Sequence, residues 1–423
     1  MCNVTIFEDK EVNALYPLTV NRPAFELLNG ALNVLSRISF YFSDSKINLI
    51  VREELKELTK AKYPNYEVNN FQPSEDQLLI NSRSLIDQEL YEKILISDFS
   101  GNWIYLNEKD EFVAAYLKKS DLAATFDLLK QFVSNQEILD RIRINCPVKD
   151  KLKTKLISNL WDLVYFNDSV LKQDLSLLNK MGLIKGEIKP LVSIDQENQL
   201  YLGKNSIIEN FVDINTENGP IYIDENVHIA PFTSLKGPLF IGKGTHVLGG
   251  KIMNSSIGPH CKVNGEINTC VFLGYSNKAH DGFLGHSYLG EWVNLGAMTT
   301  NSNLKNTYGE ITLQRDDENL ASGKNFLGVF MADQVKTAIG TLIATGSIIS
   351  YGSCLLGATP HGKFVPSFSW GEKGKYQKYK FDQLIATQKR MMQRRGLELS
   401  QPELNLIKKL YEKSEGLTQK SKK

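Results

Sequence analysis

The chain has 423 residues, long for one hydrophobic core, which sets an expectation of two domains. Its 42% hydrophobic and 23% charged residues fit an ordinary soluble protein, and a formal net charge of +1 gives no reason to expect nucleic acid or an anionic membrane as the partner. Five scattered cysteines (Cys2, Cys146, Cys261, Cys270, Cys354), never spaced C-x-x-C, argue against a disulfide framework and a structural zinc site and for reduced thiols.

The first residues, MCNVTIFEDKE, are acidic where a secretory signal is basic and then apolar, and no run is as long as a membrane span, so a cytoplasmic protein is expected. NVTIFE (3–8) and INLIV (47–51) read as buried strands, PAFELLNGALNVLSRI (23–38) and REELKELTKAKY (52–63) as helices. That alternation predicts an α/β domain with a largely parallel sheet. Residues 121–185 read mostly as a helical connector that completes a first region, 1–185.

A different rule begins near Leu202. Ile223, Ile229, Leu235, Ile241 and Val247 are spaced by sixes, Ile257 and Val263 continue the period, and Phe283, Leu289 and Leu295 resume it after a shift. Ile343, Ile349 and Leu355 show it again. A hexapeptide period with glycine after the aliphatic position (IGKG, IGPH, LGEW, LGAM) predicts a parallel β-helix over 199–366, with three short strands per coil. Similarity to hexapeptide-repeat proteins implies a left-handed coil, against the usual crossover preference. Residues 305–325 read as a loop pushed out of the coils. Residues 367–423 read as a basic helical tail packed on the solenoid end or on a neighbouring chain.

With about eighteen residues per coil, positions that far apart stack roughly one strand spacing apart, near ~4.8 Å. His280 and Ala297 are then neighbours on adjacent coils, with Asn294 and Asn303 bracketing Ala297. An imidazole, two amides and free backbone N–H groups suit acyl transfer to an amine: the base takes the proton and the donors hold the oxyanion. Structural roles for a turn histidine stay open. Cys261 and Cys270 lack a spacing argument as nucleophiles and read as buried apolar residues. His260, His280 and His286 are the imidazoles available for a metal, but none is expected, because His280 and His286 are one hexad apart and fall on successive faces rather than converging.

The stretches FEDKEVNALYPLTVNRPAFEL, LWDLVYFN, GYSNKAHDGFLGHSYLGEWVNLGAMTTNSNLKN and KFVPSFSWG are spread over nearly the whole chain. They resemble the bifunctional family that makes UDP-N-acetylglucosamine, in which glucosamine-1-phosphate acetyltransferase is joined to N-acetylglucosamine-1-phosphate uridylyltransferase. The resemblance is closer to a variant branch described as sugar nucleotidyltransferases fused to a hexapeptide acyltransferase. It implies a nucleotidyltransferase-like, Rossmann-like α/β domain followed by a left-handed β-helix, with acetyl-CoA as co-substrate, a sugar phosphate as acceptor and a homotrimer as the assembly. It also implies His280 as catalytic base, Asn294 and Asn303 as sugar contacts, and Ala297 and Thr341 on the coenzyme side. The family's phosphate-side tyrosine falls on Phe283 and its phosphate-binding lysine on Asn268, with Lys251, Lys278 and Lys305 as substitutes among which nothing selects.

The N-terminal region departs further. The family's Gly-rich loop and proline–lysine pair correspond to a stretch without glycines, with Ala24 after Pro23 and only Arg22 and Lys10 as nearby cations. The metal-holding aspartate falls in LLINSRSLI, on Asn81 and Ser82, which hold Mg²⁺ poorly. Two readings stay open: an active nucleotidyltransferase rebuilt around Arg22, Glu26 and Arg83, using Mg²⁺ and a nucleoside triphosphate, or a domain that binds sugar nucleotides or scaffolds without catalysis. The second, extended to both domains, is the alternative to a transferase.

Overall fold

The computed structural model describes residues 3–70, 74–357, 361–373 and 375–414. The chain divides into two compact units: one comprises the residues up to Leu27, Leu32–Leu160 and Ser400–Leu410, the other Leu28–Ala31, Trp161–Leu399 and the residues from Tyr411. The helix Asn167–Leu178, expected within the first region, thus belongs to the second unit. No helix among the described residues is long and apolar enough to cross a membrane.

The first unit is built on a Rossmann-like sheet of seven strands in the order Glu67–Val68, Ile47–Ile50, Asn3–Phe7, Gln77–Asn81, Phe112–Leu117, Trp103–Asn107, Val148–Leu152. The first four run parallel and Trp103–Asn107 and Val148–Leu152 run with them, so the sheet is largely parallel as expected; Phe112–Leu117 alone, antiparallel to both neighbours, makes it mixed. Apolar runs buried on both faces carry no direction, and only the tight 107–111 connection dictates the reversal. The helices Lys119–Lys130 and Asn135–Ile142 cover one face, the second opened by a Ser134/Glu137 capping box. Phe7, Ile104, Phe112, Leu122, Phe126 and Ile138 fill the space between.

The expected helix over 23–38 forms only as Val34–Tyr41, started by Asn33, whose side chain accepts from the Ser36 N–H at 2.8 Å. Before it the chain is broken at Asn29–Gly30. Gly30 has φ +83°, and a Cβ there would strike the Asp174 carboxylate. Residues 28–31 join the second unit through backbone and side-chain bonds: the Leu28 N–H to Tyr288 Oη (3.0 Å), Asn29 Nδ2 to the Leu163 carbonyl (2.7 Å), the Gly30 N–H to Asn167 Oδ1 (2.8 Å) and the Ala31 N–H to Asp174 Oδ2 (2.9 Å).

The second unit is a three-sided stack of parallel strands, the arrangement expected of a left-handed β-helix. One face runs from Glu187–Ile188 to Asn277–Lys278, the next from Ser193–Ile194 to Phe283–Gly285, and the third, of nine strands, from Leu200–Leu202 to Phe364–Val365. On the first two faces one aliphatic side chain per strand points inward, so Ile208, Ile229, Val247 and Val263 stack in one column, and Ile214, Leu235, Ile252 and Ile267 in another. All are fully buried. Residues 305–325, expected as a loop, form an antiparallel hairpin, Thr312–Arg315 with Glu318–Ala321, closed at its base by a Leu304–Phe326 bridge. In the tail, the helix Phe381–Gln393 packs on the β-helix: Gln388 Nε2 donates to Tyr351 Oη (3.4 Å), and beyond the helix Arg395 donates to Asn277 Oδ1 (3.1 Å).

Because the inward columns are closely packed, Ile252→Ala should cost about 2–5 kcal/mol in urea unfolding. The exposed Lys251→Ala, next to it on the same strand, should stay within about 0.5 kcal/mol of the parent protein.

Candidate functional site

His280 stands at the corner between two faces of the β-helix, where the strand Asn277–Lys278 ends and before Phe283–Gly285 begins. The Asn277–Asn294 bridge sets the register, and three residues further on His280 faces Ala297 on the next coil. The Leu295 N–H donates to the Asn277 carbonyl (2.8 Å) and the Met298 N–H to that of Asp281 (3.1 Å), fastening the two coils on either side of the pair. The His280 imidazole is exposed, and among the described residues its side chain makes no hydrogen bond. The Ala297 carbonyl accepts from the Gly340 N–H (2.8 Å), while its own N–H donates to no described residue. A lone-pair-bearing imidazole and an open amide donor therefore share one corner.

The two asparagines are not part of that corner. Asn294 lies on the preceding face between Asn277 and Lys336, and its Oδ1 accepts from Asn277 Nδ2 (3.2 Å). Asn303 lies at the far end of the 283–285 strand, where its Nδ2 donates to Nδ1 of His286 (2.9 Å). Six residues separate the two histidines, a reach of roughly 20 Å for extended chain. A second cluster thus forms at the next corner. A Cβ on Gly285 would fall 2.6 Å from Asn303 Nδ2 and closer still to the Phe283 ring, so the missing side chain lets both approach. His286 stacks on Phe326 (5.4 Å, 27°), Tyr165 donates to the Phe326 carbonyl (2.7 Å), and Lys324 sits 4.5 Å from the Tyr165 ring centre. Burial pushes the His286 pKa down to about 4, and with Nδ1 accepting from Asn303 the neutral ring carries its proton on Nε2. In the sequence His286 bears only on the metal question, although the seventeen-residue offset that pairs His280 with Ala297 also pairs His286 with Asn303.

Of the three candidate lysines, Lys251 is exposed on an outer face between Ser234 and Glu266. Lys305 donates to the Glu310 carbonyl. Lys278 corrects the expectation of a phosphate ligand: paired in register with Val263, it points inward and is only 2% exposed. Thr341, expected on the coenzyme side, is likewise buried, and its hydroxyl donates to the Ala338 carbonyl (2.8 Å). Asn268 Oδ1 accepts from the Thr269 hydroxyl (2.9 Å). No group of three or more His, Cys, Asp or Glu among the described residues is placed to hold a metal ion.

In the first unit the three expected nucleotide contacts serve the fold. Arg83 is fully buried and grips Asp9 with Nε on Oδ1 (3.0 Å) and Nη2 on Oδ2 (2.9 Å), while Asn81 adds a bond to Asp9 Oδ2 (2.6 Å). Glu26, also buried, is shared between Arg22 (3.5 Å) and Lys62 (2.5 Å). Glu8 accepts from the Ala24 N–H (2.9 Å) and from Arg52 Nε (3.2 Å). Glu8 and Asp9 directly follow the Asn3–Phe7 strand; in the stretch where the resemblance implies a phosphate loop, Glu8 takes the Ala24 N–H and Glu26 pairs with Arg22, while Lys10 stays exposed, 4.0 Å from Glu137. A cavity of about 430 Å³ lies at the opposite, amino ends of the parallel strands, lined by Phe42, Ser45, Asp76, Leu95, Phe99 and Tyr116.

Arg83→Met should destabilise the protein by about 3–5 kcal/mol in denaturant unfolding, because it strands the buried Asp9 carboxylate. His286 takes up its proton in the unfolded chain before it does in the folded one, so its contribution is complete above about pH 6.5 and is lost as pH falls towards 4. The thermal midpoint of the parent protein should therefore drop more steeply over that window than that of His286→Gln.

Residues 4–181 match the family model described as sugar nucleotidyl transferase. No curated protein sequence matches the chain. Among solved structures, a protein described as a glucose-1-phosphate thymidylyltransferase from Bacillus anthracis, in complex with sucrose, aligns at 10% identity and TM-score 0.30 over 40% of this chain and 96% of its own. A mutant of AntD, an N-acyltransferase from Bacillus cereus in complex with dTDP and coenzyme A, aligns at 10% identity and TM-score 0.19 over 49% and 91%. Both scores fall below the level at which superposition implies a shared fold, so the match that bears on this chain is the sugar nucleotidyl transferase model over residues 4–181.

Proposed function

We propose that the β-helix transfers an acetyl group from acetyl-CoA to the amine of an amino-sugar 1-phosphate of the glucosamine-1-phosphate type, with His280 as general base. The observation that carries this reading is an exposed His280 at a corner in register with Ala297 of the next coil, whose N–H donates to no described residue. The amine attacks the thioester carbonyl and its proton passes to the imidazole. The Ala297 N–H faces the developing oxyanion, and collapse of the tetrahedral intermediate releases the coenzyme thiol, which recovers the proton. Asn303 and Asn294, at separate places on one chain, contribute through a neighbouring copy in a homotrimer acting in the cytoplasm.

For the first unit, the Arg83–Asp9 and Arg52–Glu8 pairs speak against nucleotidyl transfer at this stretch and leave a binding or scaffolding role without catalysis. Mg²⁺–triphosphate chemistry needs open donors and a metal-holding carboxylate, and these side chains are committed to one another.

Release of free thiol from acetyl-CoA in the presence of glucosamine-1-phosphate tests the reading. His280→Ala should lower kcat/KM about 10²–10⁴-fold with an unchanged melting temperature, and acetyl-CoA should raise the melting temperature of both proteins. An unchanged rate in His280→Ala overturns it.

A further inference from the structure

The inward column of one β-helix face holds Ile208, Ile229, Val247 and Val263 on successive coils, and the next residue in that column is Lys278. A leucine or methionine would fill this slot at no electrostatic cost, whereas an ammonium removed from water is costly unless hydrogen bonds replace its hydration. Lys278 meets that requirement with two backbone carbonyls, those of Asn264 (3.0 Å) and His280. One acceptor belongs to the corner of the preceding coil, the other to the residue that carries the exposed imidazole. The turn between Lys278 and Phe283 has few other ties: the Asp281 carbonyl to Met298, the Gly282 carbonyl to Glu266 (3.3 Å), and the Asp281 carboxylate to Asn264 (3.4 Å).

We infer that Lys278 is a positioning residue, a cation held inside the β-helix that fixes the backbone of the 279–282 turn and thereby the place of His280. This rests on the reading of His280 as the general base, but the geometry can be judged without it. Burial brings the Lys278 pKa down to about 8, against the opposing pull of Asp281 and Cys270, the ionisable groups that face it. The tie therefore changes its charge just above neutral pH.

Lys278→Met, which fills the slot without a charge, tests this in the full-length protein. Its melting temperature should equal or exceed the parent's, amide hydrogen exchange at residues 280–283 should accelerate at least tenfold, and acetyl transfer should lose at least tenfold in kcat with little change in KM. A merely structural lysine would lower the melting temperature and leave that pattern absent. Should the variant fail to fold, the parent protein decides: the His280 imidazole NMR signal, assigned with His280→Ala, should respond to the titration of Lys278 with an inflection near pH 8 that persists in Asp281→Asn. Burial pushes the Cys270 thiol up to about 12, outside that window. Unchanged exchange at 280–283 in Lys278→Met, or the absence of an inflection near pH 8 in the parent, overturns the inference. If His280→Ala keeps full acetyl transfer, the function falls, while the exchange and NMR results still judge Lys278.

Discussion

Each coil of the second unit must place inward side chains on every face directly above those of the coil before, and the rest of the molecule answers to that constraint. The backbone of each coil is the hydrogen-bonding partner of the next, so a corner residue is fixed to within one strand spacing of its counterpart. His280 meets Ala297 for this reason, with no side-chain contact needed to bring them together. Where the chain carries more residues than a coil can take up, as between Leu304 and Phe326, the excess leaves the stack as a hairpin and the columns continue on the far side.

The same constraint explains what could be read in advance. Fully buried aliphatic residues at a six-residue period admit few structures, so the β-helix followed from Ile223 to Val263 alone. Lys278 escaped because the coil after Val263 is short and the visible hexads resume at Phe283, hiding the fact that the column passes through a lysine. The bond from Asn303 to His286 lay in the same register count, but a glycine at 285 gives no sign in sequence that two larger groups converge over it. In the first unit the strands Asn3–Phe7 and Ile47–Ile50 were legible from their apolar runs. Helical spacing over 23–38 was misleading because the tertiary partners of Asn29 and Gly30 outweighed local preference.

Buried cations have opposite consequences in the two units. Arg83 and Arg52 are neutralised by carboxylates of the chain itself, which leaves that part of the first unit with little to offer a phosphate. Among the described residues no carboxylate touches Lys278, which rests on carbonyl dipoles. The first arrangement rigidifies a domain, whereas the second ties a core position to a surface turn.

The segment 28–31 adds an order of events. It leaves the ribosome early, but its partners Leu163, Asn167 and Asp174 follow more than a hundred residues later, and Tyr288 later still. During synthesis, therefore, the strand Asn3–Phe7 and its neighbours can assemble while a four-residue stretch between them waits, its amides solvated, for a helix not yet translated. The two units are consequently interleaved in time as well as in sequence, and a single cut at residue 160 would give neither half all of its own chain.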